Sequence, residues 1–581
     1  MRTMIGAIKA SLLCILILGS LPVFAQDLDT LRKNFRYAEE AIKNGNLTTY
    51  YKLKPSLEEY VLYPYLQYAE ITRMMNNRLP SDYVENFIQT YPDSSLAQRL
   101  QTNYLQTLAK QQQWALYQQF YKPSDNVALQ CYNVWAEYKT TQQTIALKNA
   151  TPLWLSAYSR PDECNALFAA WQKSTYFDNE VAWQRAQLAM DANQPKLVTY
   201  LKKFLNAQQL AQIDAWFAMK ANYAKAINLA TSHDPKAIEA LNALPKAQMD
   251  APIYEWRVRY ALRQQDWSNV VKYIADMPAD LQQQPAWRYW QARALLAQNQ
   301  TETGNEILSK VALERNYYGM LASELMNMPH PLNNKPYSID TKTKNFVSHD
   351  PGIKRAIELY ALKRTTDARR EWNTSIATFN EEQLLAAAKL ARTMEWYDRG
   401  VLTATAAQNR DDLDVRFPLA YEKTMRAQAQ KNNIDLAWAY AISRQESAFI
   451  PDAQSPANAM GLMQLLPSTA QIVAKSMGQT FNKNQLIIPE KNIAYGTRYL
   501  KDMLTKFNQN RQLASAAYNA GASRVYRWMP DSPLPTDIWV ETIPFKETRG
   551  YVQNVSSFWV IYNHQLGRTD KRLNHFKINI S

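Results

Sequence analysis

Short amphipathic helical segments follow one another from residue 27 to about residue 335, and this pattern limits the possible folds more than any other. Apolar and aromatic residues recur at helical spacing, with polar or proline-marked breaks such as 62–65, 91–93 and 277–279. One pair of such helices cannot bury its apolar side alone, but stacked pairs can. Because no strict repeat consensus is present, the pattern predicts an irregular α-superhelix (a solenoid) rather than a tetratricopeptide array.

Aromatic residues within this run have two possible roles. Trp287, Tyr289 and Trp290 could stack on sugars, but aromatic residues at helical spacing more often pack between helices. We assign them to the core.

The whole chain is expected to be mainly all-α and to contain several domains. Its 581 residues exceed what one hydrophobic core supports, and it has only 13 glycines and no glycine-rich phosphate loop. Prolines and polar residues replace the apolar periodicity at about 330–350. We predict a signal peptide at 1–25, a superhelical domain at 26–340, a small helical linker domain at 341–414 and a compact C-terminal domain at 415–581.

The N-terminus reads as a secretory signal. Arg2 and Lys9 precede an apolar run at 12–18, and small residues before Gln26 form a cleavage site. The apolar run is too short for a comfortable membrane span, and Cys14 is not placed for lipidation. We therefore predict an exported protein without stable membrane insertion.

Two cysteines, Cys131 and Cys164, remain after cleavage of the signal. An even pair in an oxidising compartment favours a disulfide over two separate buried thiols. Such a bridge would stabilise the fold by roughly 3–4 kcal/mol in the chain-entropy model.

The charge of the chain ranks its possible partners. The net charge is +14 and the pI is about 9.3. In the cytosol this would suggest nucleic acid, but after export a cell-wall polymer bearing carboxylates is the better acidic partner. The sequence identifies no protein partner.

Residues 442–469 hold the strongest candidate for chemistry, Glu446. Asp435 can cap the helix that precedes it, and Pro451 limits its extent. Residues at spacings of three and four share one face of that helix: Leu436, Ala439, Ser443 and Glu446. Burial and the helix dipole would both raise the pKa of Glu446 and make it a general acid. The alternative is a glutamate on a solvated helix face.

Other chemistries have little support in the sequence. The five histidines do not cluster, and no HExxH motif, Cys/His ligand spacing or calcium loop is present: His233, His330, His349, His564 and His575. We therefore expect no metal, no cofactor and no Ser-His-Asp triad. Carboxylate chemistry remains.

Several segments together resemble one family. RQESAF, SPANAMGLMQLLPSTA, SAAYNAGASRVYRW and ETIPFKETRGYVQNV are similar to the signature segments of the soluble lytic murein transglycosylases, whose catalytic domain has a goose-type-lysozyme-like fold. YVLYPYLQY, WRYWQARA, RNYYGMLASEL and the cysteine pair resemble the superhelix of the large soluble members. The resemblance covers essentially the whole mature chain.

The resemblance implies site residues, named here by their positions in this sequence. Glu446 would be the catalytic acid and base, and Ser455 would bind the N-acetyl group of the substrate. Glu547 would be a supporting acid behind the site. Four further residues would line the glycan groove: Met463, Gln464, Tyr518 and Asn519.

The implied function is cleavage of peptidoglycan in the periplasm. The β-1,4 bond between N-acetylmuramic acid and N-acetylglucosamine would be cleaved with formation of a 1,6-anhydromuramyl end, with one Glu acting as acid and then as base. Two alternatives are a lysozyme-type hydrolase that uses water and a non-catalytic wall-binding scaffold.

Overall fold

The computed structural model describes residues 22–75, 81–408, 411–568, 571–573 and 577–578, without the side chains of 22–26 and 577–578. The predicted signal peptide therefore lies almost wholly outside the described residues. In the described residues, strand structure is limited to an antiparallel pair, β1 (Leu534–Pro535) with β2 (Lys577–Ile578). The prediction of a mainly all-α chain is confirmed.

Helices occupy most of the described chain. Those of the first part are α1 Pro22–Asn44, α2 Leu47–Leu53, α3 Tyr63–Met74, α4 Ser81–Thr90, α5 Ser95–Lys110, α6 Trp114–Phe120, α7 Val127–Thr141, α8 Ala150–Trp154, α9 Asn165–Trp171, α10 Asn179–Asp191, α11 Pro195–Leu201 and α12 Ala207–Thr231. They continue with α13 Ala237–Asn242, α14 Ala251–Arg263, α15 Trp267–Ala275, α16 Ala279–Gln282, α17 Pro285–Ala297, α18 Thr301–Val311, α19 Tyr317–Leu325 and α20 Thr341–His349.

The second half of the chain is equally helical. Its helices are α21 Pro351–Ala361, α22 Thr365–Ile376, α23 Glu381–Thr393, α24 Tyr397–Ala406, α25 Leu413–Arg416, α26 Glu422–Lys431, α27 Leu436–Ser447, α28 Pro467–Ser476, α29 Pro489–Lys506, α30 Arg511–Ala520, α31 Ala522–Trp528, α32 Thr536–Glu541 and α33 Lys546–Gln565. Short 3-10 turns lie at Lys54–Leu57, Thr144–Asn149, Asp162–Cys164, Lys202–Phe204, Lys246–Gln248 and Lys483–Ile487.

The chain forms two compact units that do not follow sequence order. The first unit comprises the residues up to Trp216 together with Asn345–Phe379, and the second comprises Phe217–Lys344 with Asn380–Ser581. The domain boundaries given by the sequence, at 340 and 414, remain predictions.

The first unit contains the disulfide expected from the sequence. Cys131 in α7 is bonded to Cys164 in the 3-10 turn Asp162–Cys164, and both are fully buried. Trp154 and Trp171 pack beside this region with ring centroids 5.2 Å apart. Cross-linking and aromatic packing together stabilise a stretch built from very short helices.

Buried carboxylates join the two chain segments of the first unit. Glu371 of α22 is fully buried and accepts hydrogen bonds from Tyr65, Ser95 and the guanidinium of Arg355 at 3.1, 2.7 and 2.8 Å. Each lone pair of a buried carboxylate needs such a donor, since an unpaired buried charge is costly. Residues 351–376 are therefore fixed to the N-terminal helices.

One apolar cluster extends through the second unit from Val258 to Leu573. It includes Trp287, Tyr289 and Trp290, each at most 1% exposed, which confirms their assignment to the core. Within the same cluster α27 packs against α33. This contact places the candidate acid of α27 beside α33.

A buried polar network also links α14, α17 and α19 with α32. Glu541 is 1% exposed and accepts hydrogen bonds from Arg259 at 3.0 Å, Trp290 at 3.2 Å and the hydroxyl of Tyr318. Tyr318 in turn accepts a hydrogen bond of 2.7 Å from Gln553 of α33.

In the described part of the chain, no helix has the length and apolar character needed to cross a membrane.

Candidate active site

Helix α27 holds Glu446 in its last turn. Asp435 caps the start of this helix by accepting a hydrogen bond of 2.9 Å from the backbone N–H of Ala437, as the sequence predicts. The helix stops at Ala448, whose φ of 49° is left-handed, and Phe449 follows with φ of 67°. Two consecutive left-handed residues turn the chain sharply and leave Glu446 beside the loop that follows.

The carboxyl group of Glu446 is partly buried and accepts one hydrogen bond. The hydroxyl of Tyr551 donates to its Oε1 at 2.7 Å. Burial raises the pKa of Glu446 from 4.5 to about 8, the hydrogen bond from Tyr551 opposes the increase, and the negative charge of Glu547 adds to it. At neutral pH this group is mainly the neutral acid.

Asn492 holds the loop that follows Glu446. Its Oδ1 accepts a hydrogen bond from the backbone N–H of Met463 at 2.7 Å, and its Nδ2 donates to the carbonyls of Met460 and Leu486, both at 2.9 Å. Gly461 has φ of 78°, and a Cβ there would lie 2.0 Å from the Leu486 carbonyl oxygen. Only glycine fits this close approach.

Ser455 lies on the same loop in a local hydrogen-bonded turn. Its backbone N–H donates to the carbonyl of Ala459 at 2.9 Å, and its Oγ accepts from the N–H of Ala459 at 3.0 Å. The latter bond uses a lone pair of the hydroxyl and leaves its proton available for a ligand. The side chain is half-buried, so a ligand can reach it.

Met463 and Gln464 occupy different layers of the loop. Met463 is fully buried, and a Cβ on Gly496 would lie 2.4 Å from its Sδ. Its side chain therefore packs beneath the loop, and its contribution to the glycan groove stays a prediction. Gln464 is half-buried, and its amide donates to the carbonyls of Ala453 and Gly461 at 3.2 and 2.9 Å.

Helix α30 brings Tyr518 and Asn519 to the same region. It ends at Gly521, with φ of 87°, as the sequence indicates. The hydroxyl of Tyr518 donates to the carbonyl of Met463 at 2.8 Å. Asn519 is half-buried and accepts a hydrogen bond of 2.7 Å from the hydroxyl of Thr548 in α33.

Glu547 is exposed in the first turn of α33. Its Oε1 accepts a hydrogen bond of 3.4 Å from Asn519. It therefore lies at the surface of the site and not behind it, because the first turn of α33 faces solvent at this position. Its charge acts on Glu446 and favours the protonated form of that acid.

Tyr551 was not among the predicted site residues. It is buried and makes the side-chain hydrogen bond to Glu446. The sequence feature that could have indicated Tyr551 is its position four residues after Glu547, a predicted site residue. This spacing places both side chains on one helix face. The contact with Glu446, however, joins residues 105 positions apart in the chain.

In the ranges that the structure describes, no three His, Cys, Asp or Glu side chains form a group suited to a metal ion. The site combines a partly buried acid, a hydrogen-bonded loop and amide and hydroxyl groups from three helices. This combination is suited to protonating a bond in a polar, uncharged substrate such as a glycan.

Comparison with known proteins identifies the class. A family model described as the transglycosylase SLT domain matches residues 423–533, the soluble lytic murein transglycosylase L domain matches 347–413, and the soluble lytic transglycosylase helical domain matches 542–571. The chain is thus a lytic transglycosylase of peptidoglycan.

Full-length relatives specify the family further. The soluble lytic murein transglycosylase of Salmonella typhimurium is 30% identical over 94% of both chains. An inactive Glu-to-Gln mutant of the lytic transglycosylase Slt from Pseudomonas aeruginosa has a TM-score of 0.79, with 31% identity over 94% of this chain and 98% of that one. A 70-kDa soluble lytic transglycosylase in complex with bulgecin A has a TM-score of 0.80, with 28% identity over 95% and 98%. The chain belongs to the soluble lytic murein transglycosylases.

Proposed function

We propose that Glu446 is the acid and then the base in a lytic cleavage of peptidoglycan. The bond cleaved is the β-1,4 bond between N-acetylmuramic acid and N-acetylglucosamine, and the product carries a 1,6-anhydromuramyl end. The observation that carries this proposal is a partly exposed carboxyl group whose pKa burial raises to about 8. Such a group holds a proton at neutral pH and is still accessible to a substrate.

In the first step, Glu446 donates its proton to the glycosidic oxygen. The bond between that oxygen and the anomeric carbon of the muramic acid breaks, and the N-acetylglucosamine leaves with the proton as a new hydroxyl group. Positive charge at the anomeric carbon is offset by the oxygen of the sugar's own N-acetyl group. The hydroxyl proton of Ser455 is available to hold that N-acetyl group in place.

In the second step, the ionised Glu446 takes the proton of the C6 hydroxyl of the same muramic acid. The C6 oxygen then bonds to the anomeric carbon, so no water is consumed and Glu446 returns to its protonated form. One carboxyl group suffices because the nucleophile belongs to the substrate and is already close. The Tyr551 hydroxyl stabilises the carboxylate between the steps, since it donates to Oε1.

Several neighbours would bind the glycan without taking part in proton transfer. Gln464 and Asn519 are half-buried polar side chains on the loop and on α30, and Tyr518 fixes the loop through the Met463 carbonyl. Glu547 keeps the pKa of Glu446 high through its charge. In the Pseudomonas relative, the mutant with a single Glu-to-Gln substitution is inactive, and the same kind of loss is proposed here for substitution of Glu446.

The rival reaction is hydrolysis by a water molecule. An inverting hydrolase would need a second carboxylate at roughly 6.5–9.5 Å from the acid to activate that water. Glu547 is the carboxylate whose charge acts on Glu446, but it is exposed and hydrogen-bonded to Asn519. Mass spectrometry of the products of a defined wall digest distinguishes the reactions. Anhydro ends are expected, and reducing ends would identify a hydrolase.

Substitution of Glu446 by Gln tests the assignment of the acid and also the scaffold alternative. The amide keeps the shape and the hydrogen bond from Tyr551 but cannot donate an acidic proton. We expect lysis of peptidoglycan to be abolished while glycan binding is retained. Glu490→Gln, which changes an exposed carboxylate of the same unit, is the matched control and should remain active. Full activity of the Glu446 variant would remove this residue from the mechanism, and an inactive wild type would favour the scaffold.

We further propose export to the periplasm, with cleavage of the signal peptide after Ala25. The positive residues, apolar run and small-residue site of the first 25 positions support this. N-terminal sequencing of the mature protein should begin at Gln26. A mature chain that still begins at Met1 would contradict it.

A further inference from the structure

A cavity of about 380 Å³ opens in the first unit among helices α1, α3, α5 and α22. Its volume lies within the usual range for a small-ligand site, roughly 300–1,000 Å³. Glu446 belongs to the second unit, so this cavity is separate from the proposed reaction site.

The cavity carries an excess of positive charge. Four cationic side chains line it, Lys43, Arg73, Arg99 and Arg364, together with the carboxylates of Glu39 and Asp367. Both carboxylates are already occupied, because Arg364 pairs with Glu39 at 2.5 Å and with Asp367 at 2.7 Å. Asp367 also lies 3.5 Å from Arg99. An anionic ligand would therefore complete the charge balance.

Two of the cations have no ionic partner in the described residues, Lys43 and Arg73. Both are exposed at the edge of the cavity. A Cβ on Gly45 would lie 2.5 Å from Nη2 of Arg73, so the glycine leaves space for the guanidinium group beside the cavity. These two groups can turn towards a ligand without breaking an existing ion pair.

The other two guanidinium groups are held by aromatic rings. Arg364 lies 4.9 Å from the ring centroid of Tyr65, and Arg99 lies 5.2 Å from that of Tyr68. Stacking of this kind orders the planar guanidinium group, and an ordered guanidinium group recognises carboxylates well. The Oγ1 of Thr72, a residue that also lines the cavity, is buried and has no hydrogen-bond partner in the described residues. A buried polar atom of this kind indicates an absent partner.

We propose that this cavity binds the carboxylates of a peptidoglycan stem peptide and so holds the substrate at a second, non-catalytic site. Peptidoglycan is the polymer on which this family acts, and its stem peptides carry several carboxylates next to polar amides. The carboxylates of the stem match Lys43 and Arg73, the two lining cations without an ionic partner among the described residues. The inference rests on peptidoglycan as the substrate and does not depend on the role of Glu446.

A free stem tetrapeptide, L-Ala-γ-D-Glu-diaminopimelate-D-Ala, is the appropriate probe. It contains no glycosidic bond, so its binding can be measured with the active full-length chain, whichever residue is the catalytic acid. Titration calorimetry should detect binding to the wild type. The double variant Lys43→Ala/Arg73→Ala should bind at least about 10-fold more weakly, as expected for the loss of charge-assisted hydrogen bonds.

Lys139→Ala is the control, because Lys139 is an exposed cation of the first unit, as Lys43 and Arg73 are, but does not line the cavity. It should leave binding unchanged. Cleavage of stem-free glycan chains by the double variant should equal that of the wild type, while cleavage of intact peptidoglycan should fall.

Three results would overturn the proposal. They are equal affinity of the double variant and the wild type for the tetrapeptide, equal affinity of the wild type for a fully amidated tetrapeptide, and binding of inorganic phosphate at the cavity without binding of the peptide. The third result would assign the cavity to a phosphate-bearing ligand. Loss of the reaction through Glu446→Gln leaves each of these measurements unaffected.

Discussion

Glu446→Gln should stabilise the protein while it abolishes the reaction, and the stabilisation should grow with pH. The proposed acid is partly buried, and ionisation in that position is unfavourable because it takes a charge out of water. A neutral amide of nearly the same shape removes this cost. An active-site group that reduces stability is expected where function requires a perturbed pKa.

The size of the effect follows from the pKa difference between the two states. The pKa of Glu446 is about 8 in the folded protein and 4.5 as its ordinary value. Below pH 4.5 both states hold the proton, so the carboxyl group has no cost. Between pH 4.5 and 8 the unfolded chain has released the proton and the native protein still binds it, so stability falls by about 1.4 kcal/mol per pH unit. Above pH 8 the cost reaches its full value, at most about 5 kcal/mol.

The Gln variant lacks this dependence because it carries no titratable group at position 446. It should therefore exceed the wild type in stability by about 1 kcal/mol at pH 5, about 3 at pH 7 and about 5 at pH 9. Global unfolding of a chain with two units is not a single transition, so a local measurement is needed. Hydrogen exchange of the peptide Leu436–Ser447, followed by mass spectrometry, gives the opening free energy of this helix directly.

Glu490→Gln provides the control for exchanging a carboxylate with an amide. It lies exposed in the same unit, and the opening free energy of α27 should stay within about 0.5 kcal/mol of the wild type at all three pH values. A constant difference between the Glu446 variant and the wild type from pH 5 to pH 9 would refute the reasoning, because the native carboxyl group would then titrate as it does in the unfolded chain.

Three further variants test other parts of the structure. Tyr551→Phe should raise the pKa of Glu446 further, because it removes the hydroxyl group that stabilises the carboxylate. The alkaline limb of the kcat/KM profile should therefore move to higher pH, and kcat should fall about 10-fold or more. Asn492→Ala should destabilise the loop after Glu446 by about 3 kcal/mol or more, as measured by hydrogen exchange, since three buried backbone groups lose their partner. Replacement of Cys131 and Cys164 by Ala should cost about 3–4 kcal/mol in the first unit, and a reductant should lower the melting temperature of the wild type but not that of the variant.

Local sequence patterns were sufficient for the helices and for the place of the acid. The spacing of apolar residues, the Asp435 cap and the turn at Gly521 are all encoded within a few residues of where they act. The fully buried Trp287 and Trp290 followed from the same periodicity. These features require only short-range chemistry, which a single sequence contains.

Contacts between distant segments were not predictable in this way. The hydrogen bond from Tyr551 to Glu446 depends on how α33 packs against α27, and no local pattern specifies it. The complete burial of Met463 and the exposure of Glu547 also depend on packing between segments that are distant in sequence. A resemblance to a family indicates that a residue belongs to a site, but only tertiary packing decides whether its side chain faces the ligand or supports the loop.

Two glutamates of the second unit, one fully and one partly buried, show why burial alone does not identify a catalytic acid. Glu541 is almost completely buried, yet Arg259, Trp290 and Tyr318 all donate hydrogen bonds to it, and the cation of Arg259 compensates its charge. Such a carboxylate has no free path to a substrate, so it serves packing between helices. Glu446 has one donor, no cation at hydrogen-bond distance among the described residues and a partly exposed carboxyl group. The feature that separates the chemical acid from the structural one is therefore the shortage of donors around a carboxyl group that solvent can reach. This shortage arises because helix α27 ends at Ser447, directly after Glu446, beside a loop whose amide groups already have partners: the N–H of Met463 donates to Asn492 of α29, and the side-chain amide of Gln464 donates to Gly461.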